Sequence, residues 1–411
     1  MKYGCIGERL AHSFSKEVHS LIAPYQYQLK EIKKEDLTNF MLGKSFSAIN
    51  VTIPYKELVI PTLDWIDDHA KLIGAVNTVV NRQGKLYGYN TDFFGMTALL
   101  EHAGIDVCDK KVAILGTGGT CKTAFAVVKH LKAKTILKVS RNPKNDEIDY
   151  KALLDNHLDT QIIINTTPCG MYPNNEQTII NIENFTKLEG VLDAIYNPIK
   201  SNLVMQALDR GIKAEGGLYM LVAQGVRASE IFTDSTYPKD TIDKVYKTIL
   251  CEKQNIVLIG MPSSGKSTVA SIIASQLNKQ VIDTDKEIES KGKKITQIFA
   301  DGGEKTFRDL ESQAVVEVSK NFGVIIATGG GSILRKENVN ALKQNGKLYF
   351  IDRPLECLVA TDDRPLSKNA QSIKKLYNER YEIYNSICDC KINANCTANE
   401  VAEKIIKDFT L

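Results

Sequence analysis

A chain of 411 residues exceeds what one hydrophobic core usually serves, so two domains are expected, or three if one enzyme is itself bilobal. Lys and Arg number 52 against 49 Asp and Glu, a net charge of +3. That balance excludes a global field able to recruit nucleic acid or an acidic membrane, and leaves any anionic substrate to be gripped by local side chains.

The chain starts Met1-Lys2-Tyr3-Gly4 with no basic segment leading into a long apolar stretch, and no apolar run reaches the roughly eighteen residues that would span a bilayer. Nine scattered cysteines include no C-x-x-C pair, since Cys388 and Cys390 are separated by one residue. The expectation is a soluble, cytoplasmic protein with reduced structural thiols, monomeric or homodimeric.

In chain order, residues 1–95 mix short apolar runs with polar helical stretches and read as a small α/β lobe without a nucleotide-binding glycine loop. From Lys111 the pattern becomes strand 112–115, a glycine turn, helix 121–131 and strand 135–139, the opening of a doubly wound sheet. Strands at 162–164 and 191–192 continue it. Gly216-Gly217 then breaks into a helical run through Gln224, and an amphipathic helix over 241–251 closes a second lobe, 96–252. A linker is predicted at 252–255, too short and too poor in Pro, Gly and Ser to be a floppy tether. In the region 253–411, strand 256–259, a helix from Lys266, strand 281–282, helices to Lys320, strands 324–327 and 348–351 and a last helix from Asn399 predict a compact parallel α/β domain.

The turn Gly116-Thr117-Gly118-Gly119-Thr120-Cys121 fits a dinucleotide loop: Gly116 permits the turn, Gly118 admits a pyrophosphate, and Cys121 stands at the third small position. By itself it also fits a plain tight turn. The following strand ends in Ser140-Arg141-Asn142-Pro143-Lys144, with no carboxylate for a ribose 2′-hydroxyl, so Arg141 and Lys144 suit a 2′-phosphate and hence NADP(H). A solvated basic turn is the plainer alternative.

Around this module stand His12-Ser13-Phe14-Ser15, Asn50-Val51-Thr52-Ile53-Pro54-Tyr55-Lys56, Gly74-Ala75-Val76-Asn77-Thr78, Asn90-Thr91-Asp92 and Gly217-x-x-Met220-x-x-x-Gln224. Together they resemble shikimate dehydrogenase from Met1 to about Leu250. The resemblance implies that Ser13 and Ser15 bind the substrate carboxylate, that Thr52, Asn77, Thr91, Asp92 and Gln224 surround its hydroxyls, and that Tyr196 closes the site. It makes Lys56 and Asp92 the catalytic pair, and gives Gly116, Thr117, Gly118, Gly119, Thr120, Ser140, Arg141, Lys144 and Gly217 to NADP. The chemistry agrees: hydride arriving at a ketone carbon builds negative charge on oxygen, which an ammonium stabilises and protonates.

Gly260-Met261-Pro262-Ser263-Ser264-Gly265-Lys266-Ser267-Thr268 matches G-x-x-x-x-G-K-[ST] between a strand and a helix, the context that identifies a phosphate loop. Lys266 suits β/γ-phosphate and Ser267 suits Mg²⁺, with Ser263, Ser264, Gly265 and Thr268 completing an ATP site. Asp283-Thr284-Asp285, Phe307-Arg308-Asp309-Leu310-Glu311, Gly329-Gly330-Gly331, Arg364-Pro365-Leu366 and Arg380-x-x-x-Tyr384 make the region from Asn255 to Leu411 resemble shikimate kinase. That resemblance implies Asp283 near Mg²⁺, Asp285 orienting the substrate hydroxyls, Arg308, Arg380 and the Gly330 backbone on the acid end, and Arg364 reaching the transferred phosphate. Two guanidinium forks are a fitting grip for a small carboxylate.

The two resemblances share a metabolite: NADPH-dependent reduction of 3-dehydroshikimate yields shikimate, which MgATP converts to the 3-phosphate. Two other readings use the same motifs: a quinate dehydrogenase joined to a small-polyol kinase, and a metabolite sensor without turnover. Retention of Lys56, Asp92, Lys266, Ser267 and Asp283 speaks against the sensor, because pure binding needs neither proton transfer nor a metal site.

Overall fold

The computed structural model describes residues 1–10, 14–360, 366 and 369–410. The chain divides into two compact units, Met1–Ile249 and Leu250–Leu411.

The first unit holds two sheets. Strands β1 (Tyr3–Gly7), β2 (Tyr27–Glu31), β3 (Ala48–Val51), β4 (Trp65–Ile66), β5 (Thr78–Arg82) and β6 (Lys85–Tyr89) lie in the order β2-β1-β3-β5-β6-β4. Pairing is parallel from β2 to β3 and antiparallel across β3-β5-β6. β3 is buried along its whole length, which is why Ala48, Ile49 and Val51 read as a continuous run rather than an alternation.

Strands β7 (Lys111–Leu115), β8 (Thr135–Val139), β9 (Glu147–Ile148), β10 (Ile162–Asn165), β11 (Gly190–Asp193) and β12 (Lys213–Glu215) form the second sheet, all parallel, in the order β12-β11-β10-β7-β8-β9. This is the doubly wound dinucleotide order, and its switch point falls between β7 and β10, beside the glycine turn. The helix Leu218–Thr233 crosses back to the first lobe. It approaches the helix Asp92–His102 so closely that a β-carbon on Gly95 would stand 2.7 Å from the Met220 carbonyl and 3.1 Å from Gln224 Cβ.

Asp193, at the end of β11, is fully buried and accepts from Asn165 Nδ2 (3.0 Å), the Ile195 N–H (3.0 Å) and Ser201 Oγ (2.6 Å), tying the loops after β10 and β11 together. Burial nevertheless pushes its carboxyl up to about 6, outweighing those donors. A folded pKa above the unfolded value near 3.8 means that the native state binds the extra proton between these limits. Stability of this unit therefore falls as pH rises from about 4 through about 6, by on the order of 3 kcal/mol. Urea unfolding followed by Trp65, the sole tryptophan, should show Asp193→Asn gaining on the wild type across that window. A pH-independent difference between the two would show that Asp193 does not titrate there.

In the second unit, β13 (Asn255–Ile259), β14 (Val281–Asp283), β15 (Ile325–Ala327), β16 (Gly346–Asp352) and β17 (Cys390–Asn393) make a parallel sheet in the order β14-β15-β13-β16-β17. The fully buried central strand β13 delivers the phosphate loop to the middle of its carboxyl edge. The structure corrects the linker predicted at 252–255: the helix Thr241–Lys253 runs on to Lys253 and only Gln254 precedes β13. Asn255 enters the strand because its side chain is bonded there, accepting from the Val324 N–H (3.0 Å) and donating to the Asn321 carbonyl (2.8 Å). All nine cysteines are free thiols. No helix among the described residues is long and apolar enough to cross a membrane.

Candidate functional sites

In the first unit, Lys56 Nζ donates to Asp92 Oδ2 at 2.5 Å, with both side chains largely shielded. Lys56 follows β3, and its carbonyl accepts from the Val76 N–H (2.8 Å), which fixes the loop. Asp92 opens its helix; its N–H donates to Asn90 Oδ1 (3.0 Å), while Asn90 Nδ2 holds the Ala75 carbonyl (2.8 Å). The pair is thus set by backbone on both sides.

Beside it, Asn77 Nδ2 donates to Thr91 Oγ1 (3.0 Å), Asn77 Oδ1 accepts from the Thr91 N–H (2.7 Å), and Thr91 Oγ1 reaches Gln224 Oε1 (3.4 Å). The close approach at Gly95 brings Gln224 into this group. Thr52 begins the loop that ends in Lys56, its N–H bonded to the Ile6 carbonyl (3.0 Å). Ser15 is the first residue of the helix Ser15–Ile22, and the neighbouring Phe14 ring meets Tyr196 with centroids 5.4 Å apart. Tyr196, on the loop after β11, thereby reaches the first lobe. Burial lifts its phenol to about 12, so it is a neutral donor. Ser13 lies outside the described residues.

Behind these side chains runs a layer that motif reading passes over. Tyr27 OH donates to Asn50 Oδ1 (2.7 Å), and Asn50 Nδ2 donates to Thr78 Oγ1 (3.1 Å), which in turn donates to Asn77 Oδ1 (3.0 Å). All four residues are buried, so their groups are held by each other rather than by solvent. Asn50 and Thr78 sit inside the quoted motifs, the one signal that marks them; Tyr27 carries none.

The glycine turn follows β7. Gly116 has φ +104°, and its N–H bonds to the Val139 carbonyl at 2.8 Å, next to Ser140. Thr117, Gly118 and Gly119 are exposed, and nothing lies within 4 Å of where a β-carbon on Gly118 or Gly119 would stand. Thr120 lies in the first turn of the helix Gly119–His130, whose N-terminus has no side-chain cap, so its leading N–H groups face that open space, a fit for a pyrophosphate. Arg141 and Lys144 are exposed after β8, and Ser140 Oγ accepts from the Asn142 N–H (3.2 Å). Gly217 is pressed on Ala194, and its N–H bonds to the Ile195 carbonyl at 2.8 Å. Lys122 Nζ, from the nucleotide lobe, pairs with Glu57 beside Lys56 at 2.6 Å.

In the second unit, Ser263 (φ +63°) and Gly265 (φ +92°) wrap the phosphate loop ahead of the helix Lys266–Leu277, whose N-terminus also has no side-chain cap. Lys266 is buried, donating to the Gly260 and Met261 carbonyls at 2.8 Å each and lying 3.5 Å from Ser264 Oγ. Ser267 Oγ donates to Asp283 Oδ2 (2.9 Å), while Asp283 Oδ1 caps the next helix through the Asp285 and Lys286 N–H groups (3.1 and 3.3 Å). A hydroxyl and a carboxylate oxygen side by side at a phosphate loop fit Mg²⁺, which takes few protein ligands and completes its shell with water and phosphate. Thr268 is exposed on the same helix, and Arg364 lies outside the described residues.

Opposite, Arg308 and Arg380 are both buried. Arg308 Nη1 binds Glu311 Oε2 (2.6 Å), Glu311 Oε1 accepts from Ser332 Oγ (2.8 Å), and Arg308 also reaches Glu304 (3.1 Å). Burial works against the Arg308 charge, but the Glu311 and Glu304 carboxylates overcome it and raise its pKa. Arg380 Nη1 donates to the Gly330 carbonyl at 3.0 Å. A β-carbon on Gly329 would meet Asp285 Oδ1 and Glu311 Oε1, both at 2.7 Å, and one on Gly331 would meet the Arg308 guanidinium, so the glycine turn is pressed on two carboxylates at one end and on a basic group at the other. Glu311 has a signal in its i+3 spacing from Arg308 on one helix.

Comparison with known proteins agrees with this division. A family model described as shikimate dehydrogenase substrate binding domain matches residues 5–79, and one described as shikimate kinase matches residues 262–410. A shikimate dehydrogenase (NADP(+)) of Clostridium perfringens is 37% identical over 266 residues, spanning 61% of this chain and 98% of the relative. Among solved structures, shikimate dehydrogenase 1 from Peptoclostridium difficile is 35% identical with a TM-score of 0.56, over 61% of this chain and 98% of its own. A chorismate mutase/shikimate 5-dehydrogenase fusion from Clostridium acetobutylicum is 33% identical with a TM-score of 0.57, over 60% and 96%.

Proposed function

We infer a two-step enzyme from a chain that belongs to the shikimate dehydrogenase family through its first unit and carries a shikimate kinase domain in its second. The first unit reduces 3-dehydroshikimate to shikimate with NADPH, and the second phosphorylates shikimate with MgATP. We assign residues 1–95 to acid binding in the dehydrogenase, 96–252 to the dinucleotide and 253–411 to the kinase.

When bound, NADPH supplies hydride and ATP the phosphoryl group. Lys56 Nζ meets the carbonyl oxygen of the substrate, stabilises its developing charge and gives it a proton, while Asp92 aims the ammonium. Asn77, Thr91 and Gln224 orient the ring hydroxyls, and Ser15 with Ser13 holds the carboxylate. In the kinase, Lys266 neutralises phosphate charge, Ser267 and Asp283 would hold Mg²⁺, Asp285 orients the acceptor hydroxyl, and Arg308 and Arg380 clamp the acid.

The observation that carries this reading is the shielded Lys56–Asp92 pair, 2.5 Å apart, beside the Asn77–Thr91–Gln224 group. Purified protein should consume NADPH only with 3-dehydroshikimate and release ADP only with shikimate. Absence of either turnover removes the corresponding assignment.

Cofactor choice gives a separate expectation. With no carboxylate in 140–144 to hold a ribose hydroxyl, Arg141→Ala should raise KM for NADPH by about 10- to 100-fold, the worth of a charge-assisted phosphate contact, and leave KM for NADH nearly unchanged. Equal effects on the two cofactors would take Arg141 out of 2′-phosphate recognition.

A further inference from the structure

The Gly330 carbonyl receives two bonds from one helix, Ala370–Ile387: from Arg380 Nη1 at 3.0 Å and from the hydroxyl of Tyr384, one turn on. A carbonyl oxygen has two lone pairs, so these donors saturate it and fix the plane of the 330–331 peptide. The same peptide is gripped from other sides. A β-carbon on Gly330 would lie 2.9 Å from Pro262 of the phosphate loop, and one on Gly331 would fall on the Arg308 guanidinium. Arg380 Nε is buried and makes no protein hydrogen bond, so the Arg380 fork has capacity left for a ligand.

Tyr384 itself is fully buried, its ring stacked on Phe350 of β16 with centroids 5.1 Å apart and planes 17° from parallel. β16 is paired to β13, which carries the phosphate loop. The phenol therefore joins the acid-binding peptide to the scaffold of the nucleotide loop. Burial also raises its pKa, keeping the hydroxyl protonated as a donor.

We propose that Tyr384 is a positioning residue of the kinase: by sharing the Gly330 carbonyl with Arg380, it sets the glycine turn and the Arg380 fork against the carboxylate of the acceptor acid. This rests on the reading of the second unit as a shikimate kinase. Without the phenolic donor, the second lone pair of the carbonyl is unmet and Arg380 is drawn further onto it, away from the acid.

Tyr384→Phe keeps the ring and its stacking and removes one oxygen. Expected is a rise of about fivefold to tenfold in KM for shikimate, the worth of one hydrogen bond, with kcat and KM for ATP nearly unchanged. The dehydrogenase rate of the same preparation reports the amount of active chain. The methyl ester of shikimate, which cannot form the charged fork, should be phosphorylated equally well by wild type and variant. An unchanged KM for shikimate, or an equal loss with acid and ester, would overturn the proposal, the latter by assigning Tyr384 to general packing. If the kinase domain of Tyr384→Phe does not fold, Arg380→Lys gives the second arm: it must lose the acid preference over the ester, and a retained preference overturns the idea. A wild-type chain that phosphorylates neither compound would instead fail the kinase reading itself.

Discussion

Lys56→Met should lower the rate of 3-dehydroshikimate reduction by about a thousandfold, the middle of the range for losing a positioned general acid, while shikimate phosphorylation by the same polypeptide stays within about twofold of wild type. Methionine approximates the length of lysine and removes the charge, so the loop fixed by the Lys56 carbonyl and the Val76 N–H is retained. Asp92, only 13% exposed, is left without its counter-ion, so a lower melting temperature of the first unit is expected, moderated by the place of the carboxylate at a helix N-terminus. Single-turnover measurements with NADPH should show the loss in the hydride step and not in cofactor binding. A variant that reduces the ketone at close to the wild-type rate would transfer the proton-donating role to another group.

The reciprocal change is Lys266→Met. Phosphoryl transfer depends chiefly on positioning and charge neutralisation, so ADP formation should fall by about a thousandfold with the dehydrogenase unaffected. Lys266 also satisfies the Gly260 and Met261 carbonyls, so a lower melting temperature of the second unit accompanies the kinetic loss. Loss of both activities from either substitution, in a protein that remains folded, would contradict two independent sites.

Much of the architecture is legible in the residues because the parallel strands of both nucleotide sheets are short and apolar, and the leading strand of each runs into a glycine turn. β8 spans 135–139 as expected, and β7, β10 and β13 differ from expectation by a residue at one end. What escapes has weak local signals. β17 reads Cys390-Lys391-Ile392-Asn393 and buries only Ile392, and the two-residue strands β4 and β9 exist only through their partners. Lys253 and Asn255 look like linker because polar residues at a domain junction resemble loop, whereas Asn255 is fixed by bonds to residues more than sixty positions away.

The candidate site residues are legible as motifs, and so is the presence of some supports, but not what those supports touch. Glu311 in isolation looks like a solvated helix residue; it is buried because Arg308 and Ser332 converge on it. Tyr27 meets Asn50 only because β2 and β3 flank β1, and no spacing rule in one chain reports that. Ser13 and Arg364 belong to the motifs but lie outside the described residues.

The two glycine-rich turns are closed to side chains for opposite reasons. At Gly118 and Gly119 an added methyl group meets no atom of the protein, so alanine there should leave melting temperature and spectra unaltered and reveal itself only when a dinucleotide competes for the same volume. At Gly331 a methyl group would collide with Arg308, which Glu311 and Glu304 already restrain, so alanine there should be felt by the folded chain before any ligand arrives. A survey of tolerated substitutions would accordingly divide these glycines into one class visible to selection for catalysis alone and another visible to selection for folding.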